Sequence, residues 1–249
     1  MRSMRINIRS MIELALFNGY IPIKNNPMWL IAFALSPVSY IFLLAMIGRY
    51  EMIQYGFVGG LVMTMAASSY GLIGDIMWYR VNLKLQDFFT TTPASSYVYV
   101  LGLSLSAYIW ALPSFTGFIA IGYIIGVLKD LLVLLVIIAL TTLLWINTSA
   151  TSFLISTLLR SEKYVWPLAS ALGLVLSVFP PVYYPVYLLP RDTWFIALTP
   201  PTASTALLIE VYSGIVRVDK IYVAFSILNL LIQTLLFALL FVKRSRVSE

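Results

Sequence analysis

The chain has no cysteine and no histidine. The first absence excludes disulfides and thiolate chemistry, and the two together remove most transition-metal sites. Without histidine there is no Ser-His dyad and no zinc-protease helix. No glycine is followed by lysine in the 249 residues, so a P-loop for ATP is excluded as well. Charge is scarce: Asp, Glu, Lys and Arg make up 10% of the chain, against roughly 25% in soluble domains. No two acids fall on neighbouring faces of the apolar runs, so an aspartyl pair is missing. Proton-coupled carriers use acids or histidines at the membrane midplane. Here Asp75 stands near one end of an apolar run, where it can snorkel.

Apolar residues fill the space, at 61% with a mean hydropathy of +0.92. A membrane-spanning helix needs roughly 20 of them in succession. Six runs qualify: Met28–Ile47, Gly56–Met77, Tyr97–Val127, Leu131–Leu159, Val165–Leu189 and Ile221–Val242. They predict an all-α polytopic membrane protein with six transmembrane helices, one domain over residues 1–249. The third and fourth runs exceed the hydrocarbon thickness and are expected to tilt, kink or protrude, with Pro113 as the kink.

Basic residues orient the chain. With both termini inside, the inner segments carry eleven of them: Arg2, Arg5, Arg9, Lys24, Arg80, Lys84, Arg160, Lys163, Lys243, Arg244 and Arg246. The outer segments carry five: Arg49, Lys129, Arg191, Arg217 and Lys220. This is the sense of the positive-inside rule. The net charge of +6 is therefore read as topology and attraction to lipid headgroups, not as nucleic-acid binding. A seventh apolar stretch, Trp194–Val216, would reverse the last cluster. Pro200-Pro201, its hydroxyl residues and Glu210 argue instead for an outer re-entrant segment over residues 190–217, between spans five and six.

Two segments lie outside the spans. Arg5–Phe17 reads as an amphipathic helix with Arg5, Arg9 and Glu13 stepping by four, ending near Asn18-Gly19. It is either an interfacial helix lying flat or a plain basic anchor. The loop 78–96 carries Leu83, Leu85, Phe88 and Phe89 among polar positions, an apolar aspect that a partner would cover. Gly56-x-x-x-Gly60 and Gly122-x-x-x-Gly126 are candidate close-packing faces. The polar stretch Asn147-Thr148-Ser149 with Thr151-Ser152 serves either helix bonding or a substrate path. No uninterrupted signal-peptide core precedes Asn18-Gly19, so no cleavable leader is expected.

Three features together resemble one family. They are the amphipathic N-terminal helix; Thr92-Pro93-Ala94-Ser95 followed by Leu101-Gly102; and the proline- and tyrosine-rich exit Pro180–Pro190 with Leu198-Thr199-Pro200-Pro201 after it. The chain resembles the membrane (permease) subunit of the type-2 ATP-binding-cassette exporter family over nearly its whole length. It departs from the pattern at Tyr79-Arg80-Val81-Asn82, which lacks the family's glycine, and at Thr199, where the family has asparagine. The resemblance implies a multi-pass subunit of a prokaryotic plasma membrane that pairs with a second permease copy or homologue. Two cytoplasmic ATPase subunits would hold the ATP and Mg, with no cofactor and no ATPase site on this chain. It further implies an ATPase-coupling surface at Arg80, Leu83, Leu85, Asp87, Phe88 and Phe89, and an outer gate at Pro185, Pro190, Pro200, Pro201 and Glu210. The competing reading is a non-transporting membrane scaffold or assembly factor. An intramembrane enzyme ranks behind both for want of catalytic side chains.

Overall fold

A computed structural model describes residues 2–46, 50–84, 96–159 and 161–247. Among these residues all regular structure is helical. Helix α1 covers Arg2–Ala15, continues through a π turn at Leu16–Tyr20 and runs into α2, Ile21–Asn25. The longer helices are α3 (Met28–Met46), α4 (Tyr50–Val81), α5 (Ser96–Ile124), α6 (Leu131–Leu158) and α7 (Val165–Val178). Two short helices follow, α8 (Trp194–Ala197) and α9 (Pro201–Tyr212), and α10 (Lys220–Val247) closes the chain.

Four helices among the described residues are long and apolar enough to cross a membrane: Met52–Val81, Val98–Ile124, Leu131–Leu158 and Lys220–Leu240. Counting Arg191–Ala197 with Pro201–Tyr212 as one broken element would make five. Six spans exceed what these helices establish. The fifth expected run, Val165–Leu189, is helical only to Val178. Phe179 keeps helical dihedrals, φ −69° and ψ −41°, but Pro180 and Pro181 after it lack the N–H groups to continue the ladder. The chain beyond is irregular yet covered, with Val182, Tyr183 and Val186 buried.

The N-terminal helix also departs from expectation, since it does not stop at Asn18-Gly19. Gly19 is not a terminator here. It is a contact residue: a Cβ on it would lie 3.0 Å from Ile109 Cβ and 3.1 Å from the Ser106 carbonyl. Gly102 repeats the device, with Leu14 Cβ 3.0 Å from where its own Cβ would stand. Leu14 thus meets Gly102, and Gly19 meets Ser106 and Ile109. The two segments advance in step, so this stretch leans along α5.

Helix α4 is the centre. It packs against α3, α5, α6, α7 and α9, and most of its length is enclosed. Its glycines accept aromatic rings. Cβ atoms on Gly60, Gly59 and Gly74 would collide with Phe118, Tyr183 and Trp166 at 2.3, 2.3 and 2.6 Å. Gly122 of α5 receives Phe57 of α4 in return, at 2.6 Å. The expected small-residue faces are therefore notches for rings, and Gly126 lies beyond the end of α5 in a turn with φ +71°. Between helices in lipid, water exclusion adds little, and close packing of this kind carries the association.

Polar residues in the spans mostly bond their own helix. Thr148 Oγ1 donates to the Leu144 carbonyl at 2.8 Å, Thr151 Oγ1 to Asn147 at 2.9 Å and Ser152 Oγ to Thr148 at 2.8 Å. Asn147 Nδ2 makes one link outward, donating to Thr234 Oγ1 of α10 at 3.4 Å, while the buried Asn147 Oδ1 and Ser149 Oγ have no hydrogen-bond partner among the described residues. Pro113 lies inside α5, which is helical on both sides of it.

Candidate functional sites: the Arg80 end and the 191–212 hairpin

The end of α4 that carries Arg80 gathers most of the cross-helix polar contacts made by the N-terminal helix. On α1, Arg9 Nε donates to Glu13 Oε1 at 2.7 Å, one helical turn on. Glu13 holds the Arg9 guanidinium above its ordinary pKa, first through this hydrogen bond and then through its charge. Both groups are exposed, so the pair ties little together. Arg5 lies one turn earlier on α1. The stronger junction is Asn18. Its Nδ2 donates to Ser106 Oγ of α5 at 2.9 Å, its Oδ1 accepts from the Tyr79 hydroxyl of α4, and its carbonyl accepts from Trp110 Nε1 at 2.9 Å.

Arg80, expected on a partner-facing surface, turns back into the chain. Its guanidinium donates to the carbonyls of Ser156 at 3.3 Å and Leu159 at 3.1 Å. These belong to the last turn of α6, where helix carbonyls have no partner of their own and a cation is favoured. Leu83 is 52% exposed just beyond α4, and Lys84 beside it has φ +50°, which turns the chain sharply. Leu85, Asp87, Phe88 and Phe89 lie outside the described residues.

At the other site, α8 and α9 form a hairpin bent by 115°. Its descent is registered against α10. Trp194 and Phe195 stack on Tyr222 with centroids 4.8 and 4.9 Å apart, and Phe195 meets Phe225 at 5.1 Å. Two turns further along α10, Asn229 Nδ2 reaches the Thr199 carbonyl at 2.9 Å and Ser204 Oγ at 3.0 Å. Gln233 Nε2 donates to the same Thr199 carbonyl at 2.8 Å. The tip of the hairpin therefore sits about 14–20 Å along α10 from Lys220, at 1.5 Å per residue.

Prolines shape this path. Pro190 accepts the Thr193 amide at 2.9 Å and starts the entry turn. Pro200 accepts the Ser204 amide at 3.1 Å, and Pro201 takes the first position of α9, where a missing N–H costs nothing. Pro185 is buried and accepts the Leu188 amide at 3.1 Å. Thr202 Oγ1 donates to the Leu176 carbonyl, which fastens the start of α9 to α7. Gly214, with φ +73°, ends α9 in the left-handed geometry that glycine tolerates. Glu210 is 1% exposed, so it faces neither water nor an open surface of the chain. Its Oε1 has no hydrogen-bond partner among the described residues.

The sequence marks Asn18 only as a helix end and Tyr79 only as part of the polar segment before the loop, and it does not mark Ser106, Trp110, Asn229 or Gln233. The last two carried a usable signal. Two carboxamides one turn apart in an apolar run are costly in lipid unless they find a partner. Comparison of the chain with family models, with curated proteins and with solved structures found no match.

Proposed function

We propose that this chain is the membrane-spanning subunit of an ATP-driven exporter of the type-2 ATP-binding-cassette kind. It works as a dimer and takes its energy from separate ATPase subunits. The observation that carries the reading is the 191–212 hairpin, held by Asn229 and Gln233 halfway along the last helix. A helical hairpin of this kind between the last two crossings is what the family resemblance leads one to expect of the outer mouth. The buried irregular segment before it supports the same reading, because non-helical backbone at membrane depth needs protein cover.

In this reading the chain crosses six times with both termini cytoplasmic. The fifth crossing is α7, whose 14 residues rise about 21 Å, completed by the covered segment after Val178. The Arg80 end faces the cytoplasm and the hairpin caps the outer mouth. The loop after Val81, with Leu83, Leu85, Phe88 and Phe89, docks in a groove of the ATPase, which binds ATP and Mg. Closure of the two ATPase subunits displaces this loop and shifts the helices between inward- and outward-open arrangements. Glu210 belongs to the outer gate.

The experiment is capture of an ATPase by the tagged chain from its own host, followed by uptake into inside-out vesicles with and without ATP. ATP-dependent accumulation is expected. Accumulation without ATP, or a chain that recruits no ATPase, refutes the reading, and the second outcome leaves the membrane scaffold in its place.

A further inference from the structure

The last turn of α4 carries two adjacent residues that reach different helices. Tyr79 donates its hydroxyl to Asn18, which is bonded in turn to α5 through Ser106 and Trp110. Arg80 grips the carbonyl end of α6 at Ser156 and Leu159. We propose that the Tyr79–Arg80 step is a clamp that joins the ends of α4 and α6 to the turn after α1 and the middle of α5 in one block. A displacement of the segment after Val81 then reaches all four helices together. Asn18, Tyr79 and Arg80 are its positioning residues.

Three observations converge on this block. First, the ties are polar and specific in direction, and they add bonds between helices to the ring-in-notch packing along α4. Second, the π turn at Leu16–Tyr20, closed by the Ile21 amide on the Leu16 carbonyl, interrupts the regular ladder where Asn18 sits. Such turns re-aim a side chain within a helix. Third, Gly102 and Gly19 bring the α1 segment into close contact with α5 at both ends of the same stretch, so the N-terminal helix cannot slide without breaking the Asn18 bonds.

The clamp is a property of this chain alone; its purpose in transmitting force rests on the transport reading. The test is amide hydrogen exchange of the full-length protein in lipid nanodiscs, wild type beside Tyr79→Phe and Arg80→Gln. Tyr79→Phe removes one hydroxyl and keeps the ring. Exchange should rise about fivefold, the factor one net hydrogen bond is worth. It should rise in residues 11–19 and 102–110, and also in 154–159, which share no hydrogen bond with the Tyr79 hydroxyl. Arg80→Gln should show the converse spread, and Arg80→Lys should recover protection in 154–159. A rise confined to each residue's own partners means two independent ties and overturns the clamp. An equal rise in residues 201–212 means general loosening and overturns it too. If Arg80→Gln fails to insert, Tyr79→Phe decides alone. In the assembled complex, Tyr79→Phe should keep ATP hydrolysis while transport falls, a split that mere loss of stability does not produce. Absence of any ATPase partner would sink the transport reading and leave the exchange result standing.

Discussion

Asn229→Leu should release the tip of the hairpin. The Asn229 carboxamide has two N–H groups and contacts three acceptors: the Thr199 carbonyl at 2.9 Å, Ser204 Oγ at 3.0 Å and the Leu198 carbonyl at 3.3 Å. The longest contact shares a hydrogen with a shorter one, so the side chain donates two full bonds. It accepts a third from Gln233 Nε2 at 2.9 Å. Leucine removes all three but leaves no carbonyl bare. Thr199 keeps Gln233 at 2.8 Å, and Leu198 keeps Ser204 Oγ at 2.7 Å. One N–H of Gln233 loses its acceptor, so the loss is three net hydrogen bonds plus a small term for that half-buried N–H. At about 0.6–1 kcal/mol each, the range between membrane and soluble measurements, this comes to about 2–3 kcal/mol.

The assay uses the cysteine-free background. Ala203 is fully buried inside the hairpin cluster, so Ala203→Cys should react with a small maleimide only when the hairpin opens. Adding Asn229→Leu should raise that labelling rate between about thirtyfold and about a hundredfold, at 1.4 kcal/mol per decade. Thr193→Cys, exposed in the closed hairpin, should label at the same rate in both backgrounds. A change of less than about threefold at Ala203→Cys would refute the reasoning, because the bonds would then contribute nothing net to closure.

Gly60→Ala, whose Cβ would meet the Phe118 ring at 2.3 Å, should destabilise by about 1–3 kcal/mol in thermal unfolding in detergent. Gly71→Ala, on the same helix with nothing within 4 Å, should be neutral or up to about 1 kcal/mol stabilising. Phe88→Ala or Phe89→Ala should each weaken binding of a partner ATPase by about ten- to a hundredfold, from about 1.5–3 kcal/mol per buried ring, and the double mutant by about a hundredfold or more, without loss of insertion. Single cysteines at Ser3, Gln54, Thr193 and Ser248 test the topology in intact cells with an impermeant thiol reagent. Gln54 and Thr193 should label, and labelling of Ser248→Cys but not Thr193→Cys would reverse the assigned orientation. Glu210→Gln should change transport rate or selectivity in inside-out vesicles while ATPase binding is kept. Unchanged transport would remove Glu210 from the gate.

Hydropathy made the uninterrupted helices legible, one of them almost to the residue, although the run Gly56–Met77 is the longer helix Tyr50–Val81. The run read as Leu131–Leu159 is the helix Leu131–Leu158, with Asp130 at its N-cap. It failed where an apolar run and a helix part company. Leucines and tyrosines continue past Val178, so the run looks unbroken, while Pro180-Pro181 ends the backbone ladder. Glycine was ambiguous for a related reason. Gly19 followed an amphipathic stretch and resembled a C-cap, yet its role is close approach to α5, which no local pattern reveals. Arg80 fell in a polar segment and was read as surface, but its partners are carbonyls 76 and 79 residues away. The bend at Pro200-Pro201 was visible because proline acts on its own neighbourhood. Asn18 was not, because its significance lies wholly in what two other helices, α4 and α5, bring to it.

The distribution of polar ties bears on which parts can move. Around the middle of α4, rings seated on glycine fix the spacing between helices but offer few directional bonds. At the Arg80 end, carboxamide, phenol, indole and guanidinium donors cross between helices, and at the hairpin two carboxamides of α10 do the same. A carboxamide leaving its acceptor in lipid finds no water in exchange, so each group of ties resists separation more than the apolar packing between them does. Motion then concentrates between the two groups. Helices α4 and α6 belong to the Arg80 block, α10 belongs to the hairpin, and the side-chain hydrogen bond between α6 and α10 among the described residues is the long Asn147–Thr234 contact at 3.4 Å. In the proposed exporter, a push from one face of the membrane to the other would use this arrangement: tied ends, with a packed but weakly bonded seam between them.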